Sequence, residues 1–288
     1  MSLPEGCLKV NGAGIGFQVE GTGSAEALKS DQGKPPCVYG RFVEIDKFVV
    51  GGKIDKTIAD GASEAKSVGA IYMVSLKTTV IPSNVDEIVT NLKSLAKDAG
   101  QLWVRLGHEM NLYATNGVYA INQQTYKQLF QLIATKTRGS NIKMYWCPNP
   151  PGGSGDWASL DDWYPEDQYV DINGLDTYMV NDQSQFSDGL VEQFCDKYGK
   201  KPLWVGETGI LNSKPSGSLA SQKANWAKSV LCAKIAASCK KNYLGFSWFE
   251  INKVQGAPYV GDDWGDYRVS SNGILKQAID NAATCAAN

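Results

Sequence analysis

Eight short runs of apolar and β-branched residues recur along the chain, separated by segments with helical apolar spacing, and this alternation restricts the fold more than any other feature. The runs fall at Gly14 to Val19, Val38 to Ile45, Ala70 to Ser75, Leu102 to Gly107, Ile142 to Trp146, Tyr169 to Leu175, Pro202 to Gly206 and Tyr243 to Phe249. A run such as Ala70 to Ser75, apolar on both faces, suits a parallel sheet covered by helices. Between the runs, Val85, Ile88, Val89, Leu92, Leu95 and Ala96 form one helical stripe within Val85 to Ala99. Thr125 to Thr137, Phe186 to Tyr198, Ala220 to Ser238 and Gly273 to Ala283 repeat the pattern, and Gly100 and Gly199 follow two of these segments as helix C-caps do. Eight strand-then-helix units in 288 residues predict an α/β fold, a single (β/α)8 TIM barrel spanning residues 1–288. A doubly wound open sheet is the alternative. No repeat, Pro-rich linker or low-complexity segment marks a domain boundary.

A net charge of -2 and a pI near 5.6, with no long basic run, give no electrostatic footprint for nucleic acid or an anionic membrane. No stretch approaches the length of a membrane-spanning apolar helix. Cys7, Cys37, Cys147, Cys195, Cys232, Cys239 and Cys285 contain no C-x-x-C pair, and the chain has one His, so no zinc site of ordinary ligand spacing is encoded and no metal or other cofactor is expected. Seven cysteines read either as a disulfide set with one thiol left over or as buried free thiols; the first implies a secreted, extracellular protein. Connectivity stays open, except that Cys232 and Cys239, if on one helix, are too far apart to bridge. The N-terminus, Met1 to Glu5, lacks the basic and apolar regions of a signal peptide, so it reads as cytosolic or as a mature start.

A barrel of this kind places its chemistry where strands end and βα loops begin. Carboxylates stand at six of the eight strand ends: Glu20, Glu44 with Asp46, Glu109, Asp176, Glu207 and Glu250. Glu20, Glu44 and Asp46 read as caps or solvated charges. Glu109 and Glu207 differ. On Leu102 to Asn111, alternation sets Arg105, Gly107 and Glu109 on one face, with Gly107 leaving space below Glu109. An inward Arg105 is a buried cation that needs a carboxylate partner. Pro202 to Gly206 delivers Glu207 in the same way, three strands around the ring. A pair of carboxyl groups, one protonated and one ionised, is what glycoside hydrolysis uses, and retention of configuration places them roughly 5–5.5 Å apart. Trp146, Tyr178 and Trp248 at neighbouring strand ends are candidate stacking surfaces for sugar, and Glu250 a candidate sugar-hydroxyl ligand. Trp103 and Trp204 read as packing, because their parity is taken to oppose that of the Glu on the same strand.

R-x-x-H-E-M-N at Arg105 to Asn111, W-x-P-N at Trp146 to Asn149, Y-V-D-x-x-G-L-D-x-Y at Tyr169 to Tyr178 and P-L-W-V-G-E-T-G at Pro202 to Gly209 resemble glycoside hydrolase family 26, of the clan A retaining (β/α)8 hydrolases. The resemblance implies Glu109 as general acid/base, Glu207 as nucleophile, His108 as a sugar ligand at the cleavage subsite and Tyr178 as a hydrogen-bond donor to the nucleophile. It further implies Trp248 as a platform beneath the reacting sugar. Asn111 and Trp146 join the substrate-binding set, and Arg105 and Asp176 the supporting set. The family has Gly after H-E-M-N and Trp soon after; here Leu112 and Tyr113 follow Asn111.

The expectation is a monomeric, endo-acting retaining β-glycoside hydrolase acting on a neutral polysaccharide, β-mannan type first. A β-1,3-glucanase or transglycosylase of the same clan is the alternative within the class, and a non-catalytic carbohydrate-binding barrel the alternative outside it. Gly12-x-Gly14-x-Gly16 is no dinucleotide loop, since Phe17 stands where the fingerprint needs Gly. Cys147, at a strand tip, could be a nucleophile only with a His that the chain can hardly spare.

Overall fold

In the computed structural model, which describes residues 1–21, 23–151, 156–179, 189–210, 219–233, 237–253, 266–270 and 273–282, eight parallel strands close on themselves. They are β1 (Ala13–Val19), β2 (Val38–Glu44), β3 (Ile71–Lys77), β4 (Leu102–Leu106), β5 (Ile142–Trp146), β6 (Ile172–Asn173, resumed at Asp176–Met179), β7 (Leu203–Ile210) and β8 (Tyr243–Glu250). Each pairs with the next in sequence and β8 returns to β1, so the sheet is the expected barrel and not an open doubly wound one. A two-residue strand, Lys9–Val10, adds antiparallel to β1.

The helices are α1 (Ala25–Gln32), α2 (Lys56–Val68), α3 (Val85–Ala99), α4 (Met110–Thr115), α5 (Gln123–Thr137), α6 (Leu190–Tyr198), α7 (Leu219–Leu231), α8 (Ala237–Lys240) and α9 (Ile274–Ala282). Local chemistry starts and stops them. Asp55, Asn84 and Asn122 accept from the first-turn amides of Ile58, Glu87 and Thr125, and Gly33 and Gly69 close α1 and α2 in left-handed conformations. The helix expected over 220–238 ends at Leu231 and resumes at Ala237. Of the helix expected from Phe186, residues 186–188 lie outside the described residues. No helix among the described residues is long and apolar enough to cross a membrane.

The main core lies between barrel and helices. A second one fills the barrel floor, where Trp103 and Trp204 meet edge to face at 5.5 Å beside Tyr145, Val38, Ile71 and Met73. Trp103 and Trp204 therefore both pack inside the barrel, contrary to the parity expectation: Trp103 in fact shares the parity of Arg105, which also faces inward. A register shift in β7 between Val205 and Thr208 resets the alternation, so Trp204 and Glu207 both face inward.

Cys7–Cys37 ties the N-terminal segment to β2, and Cys195–Cys239 ties α6 to α8. Cys239 thus bridges a residue 44 positions away and not Cys232. Cys285 lies outside the described residues, and among them Cys147 is the free thiol, fully buried.

Candidate active site

Three carboxylates gather around one guanidinium inside the C-terminal mouth of the barrel. Arg105 on β4 has no exposed side-chain surface; its Nη1 donates to Glu207 Oε1 at 2.6 Å and its Nη2 to Asp176 Oδ2. The cation that the sequence required to be paired is paired twice, which is what a dry interior demands of it. Asp176 lies in the second segment of β6, in register with Glu207 on β7. β6 is split because Gly174 passes against β7: a Cβ there would sit 2.0 Å from the Trp204 carbonyl.

Glu109 reaches this cluster by a route that strand alternation does not describe. β4 ends at Leu106, Gly107 turns the chain at φ 56°, and Glu109 itself is left-handed at φ 50°. A non-glycine residue there stores about 1–3 kcal/mol of strain. The position is held because the Glu109 amide donates to the Cys147 carbonyl at 2.9 Å, and the Glu109 carbonyl receives the amides of Leu112 and Tyr113 to begin α4. Gly107 provides the turn and not open space: a Cβ would lie 3.1 Å from both Thr78 Oγ1 and the Tyr126 ring.

Burial, then the nearby charge of Glu207, lift the Glu109 carboxyl to about 7, against the opposing pull of a hydrogen bond from Asn149 and the charge of Arg105. Glu109 therefore holds a proton at mildly acidic pH, as a general acid must. Asn149 Nδ2 donates to Glu109 Oε1 at 2.6 Å. Glu207 stands instead between two donors, Arg105 on Oε1 and Tyr178 on Oε2 at 2.5 Å. Burial and the surrounding carboxylates push the Tyr178 phenol up, so it remains a donor. Asp176 is pushed upward by burial and its carboxylate neighbours, against Arg105.

Asn149→Ala removes a bond made to the ionised form of Glu109, so its proton is held more tightly. The alkaline limb of kcat/KM is expected to move up by about one pH unit, the worth of one charge-assisted hydrogen bond. A limb that stays put or moves down would dismiss that bond.

His108 is buried; Nδ1 lies 3.1 Å from the Tyr119 hydroxyl, and the ring meets Phe42 and Tyr113 edge to face. Burial first, then the charges of Arg105, Lys77 and Lys253, hold it neutral. Asn111 uses both ends of its amide on the backbone of Asn149, at 2.9 Å each. Its place is behind Glu109, aiming Asn149, rather than against a ligand.

Three expected sugar contacts lie elsewhere. Trp146 points out of the barrel into the rings of Tyr164, Phe194 and Tyr198. Trp248 points out against Trp226 of α7 at 4.5 Å and is 1% exposed. Glu250 accepts from the amides of Val269 and Ser270 and from the Ser270 hydroxyl, clasping the segment after β8. All three share the outward parity of their strands, and the inward neighbour of Trp248, Phe249, is the ring at the mouth. Phe249 packs with Phe42, Tyr178 and Tyr267. Glu44 pairs with Lys47 and Glu20 is exposed, in keeping with their reading as solvated charges.

A barrel of eight parallel strands with buried carboxyl groups at its mouth is the architecture of the glycosidase barrels. The chain is a member of glycosyl hydrolase family 26, whose sequence model matches residues 60–239, and with it a clan A glycoside hydrolase. Among solved structures it resembles a β-mannanase from a symbiotic protist of the termite Reticulitermes speratus, determined with a gluco-manno-oligosaccharide. The TM-score is 0.58 at 16% identity, covering 98% of this chain and 96% of that one. It also resembles a GH5-4 broad-specificity endoglucanase from an uncultured bacterium, at TM-score 0.60 and 10% identity, covering 95% of each chain. A Rhizomucor miehei β-1,3-glucanosyltransferase mutant bound to laminaritriose matches at TM-score 0.57 and 14% identity, covering 88% of this chain and 92% of that one. No curated protein sequence matches the chain.

Proposed function

We propose that this chain is an endo-acting, retaining β-glycoside hydrolase whose first-choice substrate is a β-mannan, with Glu109 as acid/base and Glu207 as nucleophile. The observation that carries the reading is the division of labour between two buried carboxyls in one mouth: Glu109 lifted to about 7, Glu207 clamped by Arg105 and Tyr178. In the first step Glu207 Oε attacks the anomeric carbon while Glu109 gives its proton to the departing glycosidic oxygen. In the second, Glu109 takes a proton from water, which cleaves the glycosyl ester and restores both groups. His108, with Tyr178 and Phe249, lines the sugar-binding wall, and no cofactor is needed. Residues 1–288 act as one catalytic domain and as a monomer, and the Cys7–Cys37 and Cys195–Cys239 bridges support an extracellular setting.

Membership of family 26 and the likeness to a mannanase bound to a gluco-manno-oligosaccharide support mannan. A second reading, β-1,3-glucan cleavage or transglycosylation, draws on Leu112, which is exposed where the family carries a nearby Trp. The likeness to the glucanosyltransferase points the same way.

The test is a panel of β-mannan, β-1,3-glucan, mixed-linkage glucan and xylan, with products resolved by length and the first anomer followed by NMR. Mannan cleaved internally with the β-anomer released first is the expected result. An α-anomer first from a β-linked substrate would exclude double displacement, and transfer products from laminarin-type chains would select the second reading.

A further inference from the structure

We infer that Cys147, which the proposed reaction does not use as a nucleophile, is a positioning residue whose thiol proton holds Asp176 in the arrangement that sets Arg105 on the nucleophile Glu207. The inference rests on the assignment of Glu109 and Glu207 given above.

Cys147 follows β5 and has no exposed surface. Its Sγ lies 3.2 Å from Asp176 Oδ1 and 3.4 Å from the Tyr145 hydroxyl. Tyr145 has one hydroxyl proton, and the closer acceptor is the Trp204 carbonyl at 2.6 Å. The thiol thus receives at most the weaker share of that proton and keeps its own to give, and a carboxylate is the stronger acceptor. Asp176 is then bound at both oxygens: Oδ2 by Arg105 and Oδ1 by the thiol.

The room for that contact is specific. Gly206, directly before Glu207, faces the same spot, and a Cβ there would sit 2.6 Å from Asp176 Oδ1, 2.7 Å from Cys147 Sγ and 2.9 Å from the Tyr145 hydroxyl. The backbone of Cys147 serves the other half of the site, since its carbonyl holds the left-handed Glu109 by the amide. One residue thus fixes the acid through its main chain and the nucleophile's partner through its side chain. Only the second role is open to substitution.

The titratable and charged groups facing Asp176 and the thiol are Arg105 and Glu109 on the β4 side, Tyr145 on β5, Glu207 on β7, Tyr178 on β6, Tyr126 on α5 and Tyr119 in the segment before α5. A thiol donor favours ionised Asp176. When Asp176 is protonated, Arg105 is drawn wholly to Glu207 and blunts its attack, so losing the donor should cost activity on the acid side.

The experiment compares Cys147→Ala, Cys147→Val and Cys147→Ser by the pH dependence of kcat/KM on the polysaccharide the wild type cleaves. Ala and Val are expected to lower kcat/KM up to about tenfold and to shift the acid limb upward by roughly half to one pH unit. The alkaline limb, set by Glu109 and the retained Cys147 carbonyl, stays in place. Ser, which keeps a donor but loses apolar volume, returns the acid limb to the wild-type position. A packing role predicts the reverse, with Val restoring and Ser failing, and that result overturns the inference, as does an acid limb unmoved in all three. If Ala does not fold, Val against Ser decides alone. A wild type that cleaves no polysaccharide overturns the functional reading and the inference with it. A cleaving wild type with Ser no better than Val overturns the inference only.

Discussion

Replacing Glu207 with Ala is expected to abolish polysaccharide cleavage, by at least on the order of 10⁴ in kcat, while leaving oligosaccharide binding within a few-fold of the wild type. The size follows from geometry. Both oxygens of Glu207 are oriented by donors, Arg105 at 2.6 Å and Tyr178 at 2.5 Å, so the carboxylate is fixed in direction before substrate arrives. Glu109 cannot stand in for it, because it is the group that must begin the reaction protonated and its backbone is committed to the turn into α4. Asp176 cannot either, since its oxygens face Arg105 and Cys147. The substitution also removes the second-largest influence raising Glu109, so the proton on Glu109 is released at lower pH. Any residual turnover should therefore lose its alkaline limb earlier than the wild type does. Single-turnover hydrolysis and calorimetric titration with an oligosaccharide separate chemistry from binding. Cleavage within about a hundredfold of the wild type would remove Glu207 from the reaction.

How far the site could be read from the sequence depended on which residues obey strand periodicity. Arg105, Asp176, Tyr178 and Glu207 sit where strand order and the demand for a buried counter-ion put them. Two breaks in that periodicity, before Glu109 and within β7, and two tryptophans that obey it account for the differences. Glu109 arrives through two consecutive positive-φ turns around His108, and nothing in an apolar pattern shows that a glutamate will adopt a left-handed backbone. Trp204 is turned inward by the β7 register shift, which depends on how β8 pairs and not on the residues of β7 alone. Trp146 and Trp248 were placed by proximity to a strand end, whereas alternation points them at the helical layer; counting parity from Ser247, which accepts from Trp204 inside the barrel, would have chosen Phe249. Asn149 stood in the W-C-P-N motif with no role, because its contact with Glu109 depends on Asn111 reaching 38 residues along the chain. α1 and α2 were missed because their stripes are short or weak in large apolar residues: α2 buries Ile58, Gly61, Ala62, Ala65 and Val68. Packing against the barrel, not propensity, holds them.

Arg105→Met is expected to lower stability by about 3–5 kcal/mol at neutral pH, the cost of leaving buried charge unpaired, with a deficit that shrinks as pH falls. Met fills the volume of the lost side chain approximately, so the effect is electrostatic before it is steric. Without the guanidinium, Asp176 and Glu207 remain close, buried and alike in charge. Arg105 is the largest influence holding Asp176 down, so in the variant the Asp176 carboxyl rises further above its unfolded value near 4. An acid whose folded-state pKa exceeds its unfolded one binds extra protons in the native state, so stability is kept below the unfolded value and lost as pH climbs through the folded one. Denaturant unfolding at pH 4.5 and pH 8 should therefore give a small deficit at the first and the full deficit at the second. Activity near neutrality should also be lost, since Glu207 no longer has the Arg105 donor that orients its Oε1. A deficit of equal size at both pH values would mean that Arg105 contributes packing alone. A partial recovery in Arg105→Met combined with Asp176→Leu would assign the cost to the stranded carboxylate, because removing both partners of a buried pair is far cheaper than removing one.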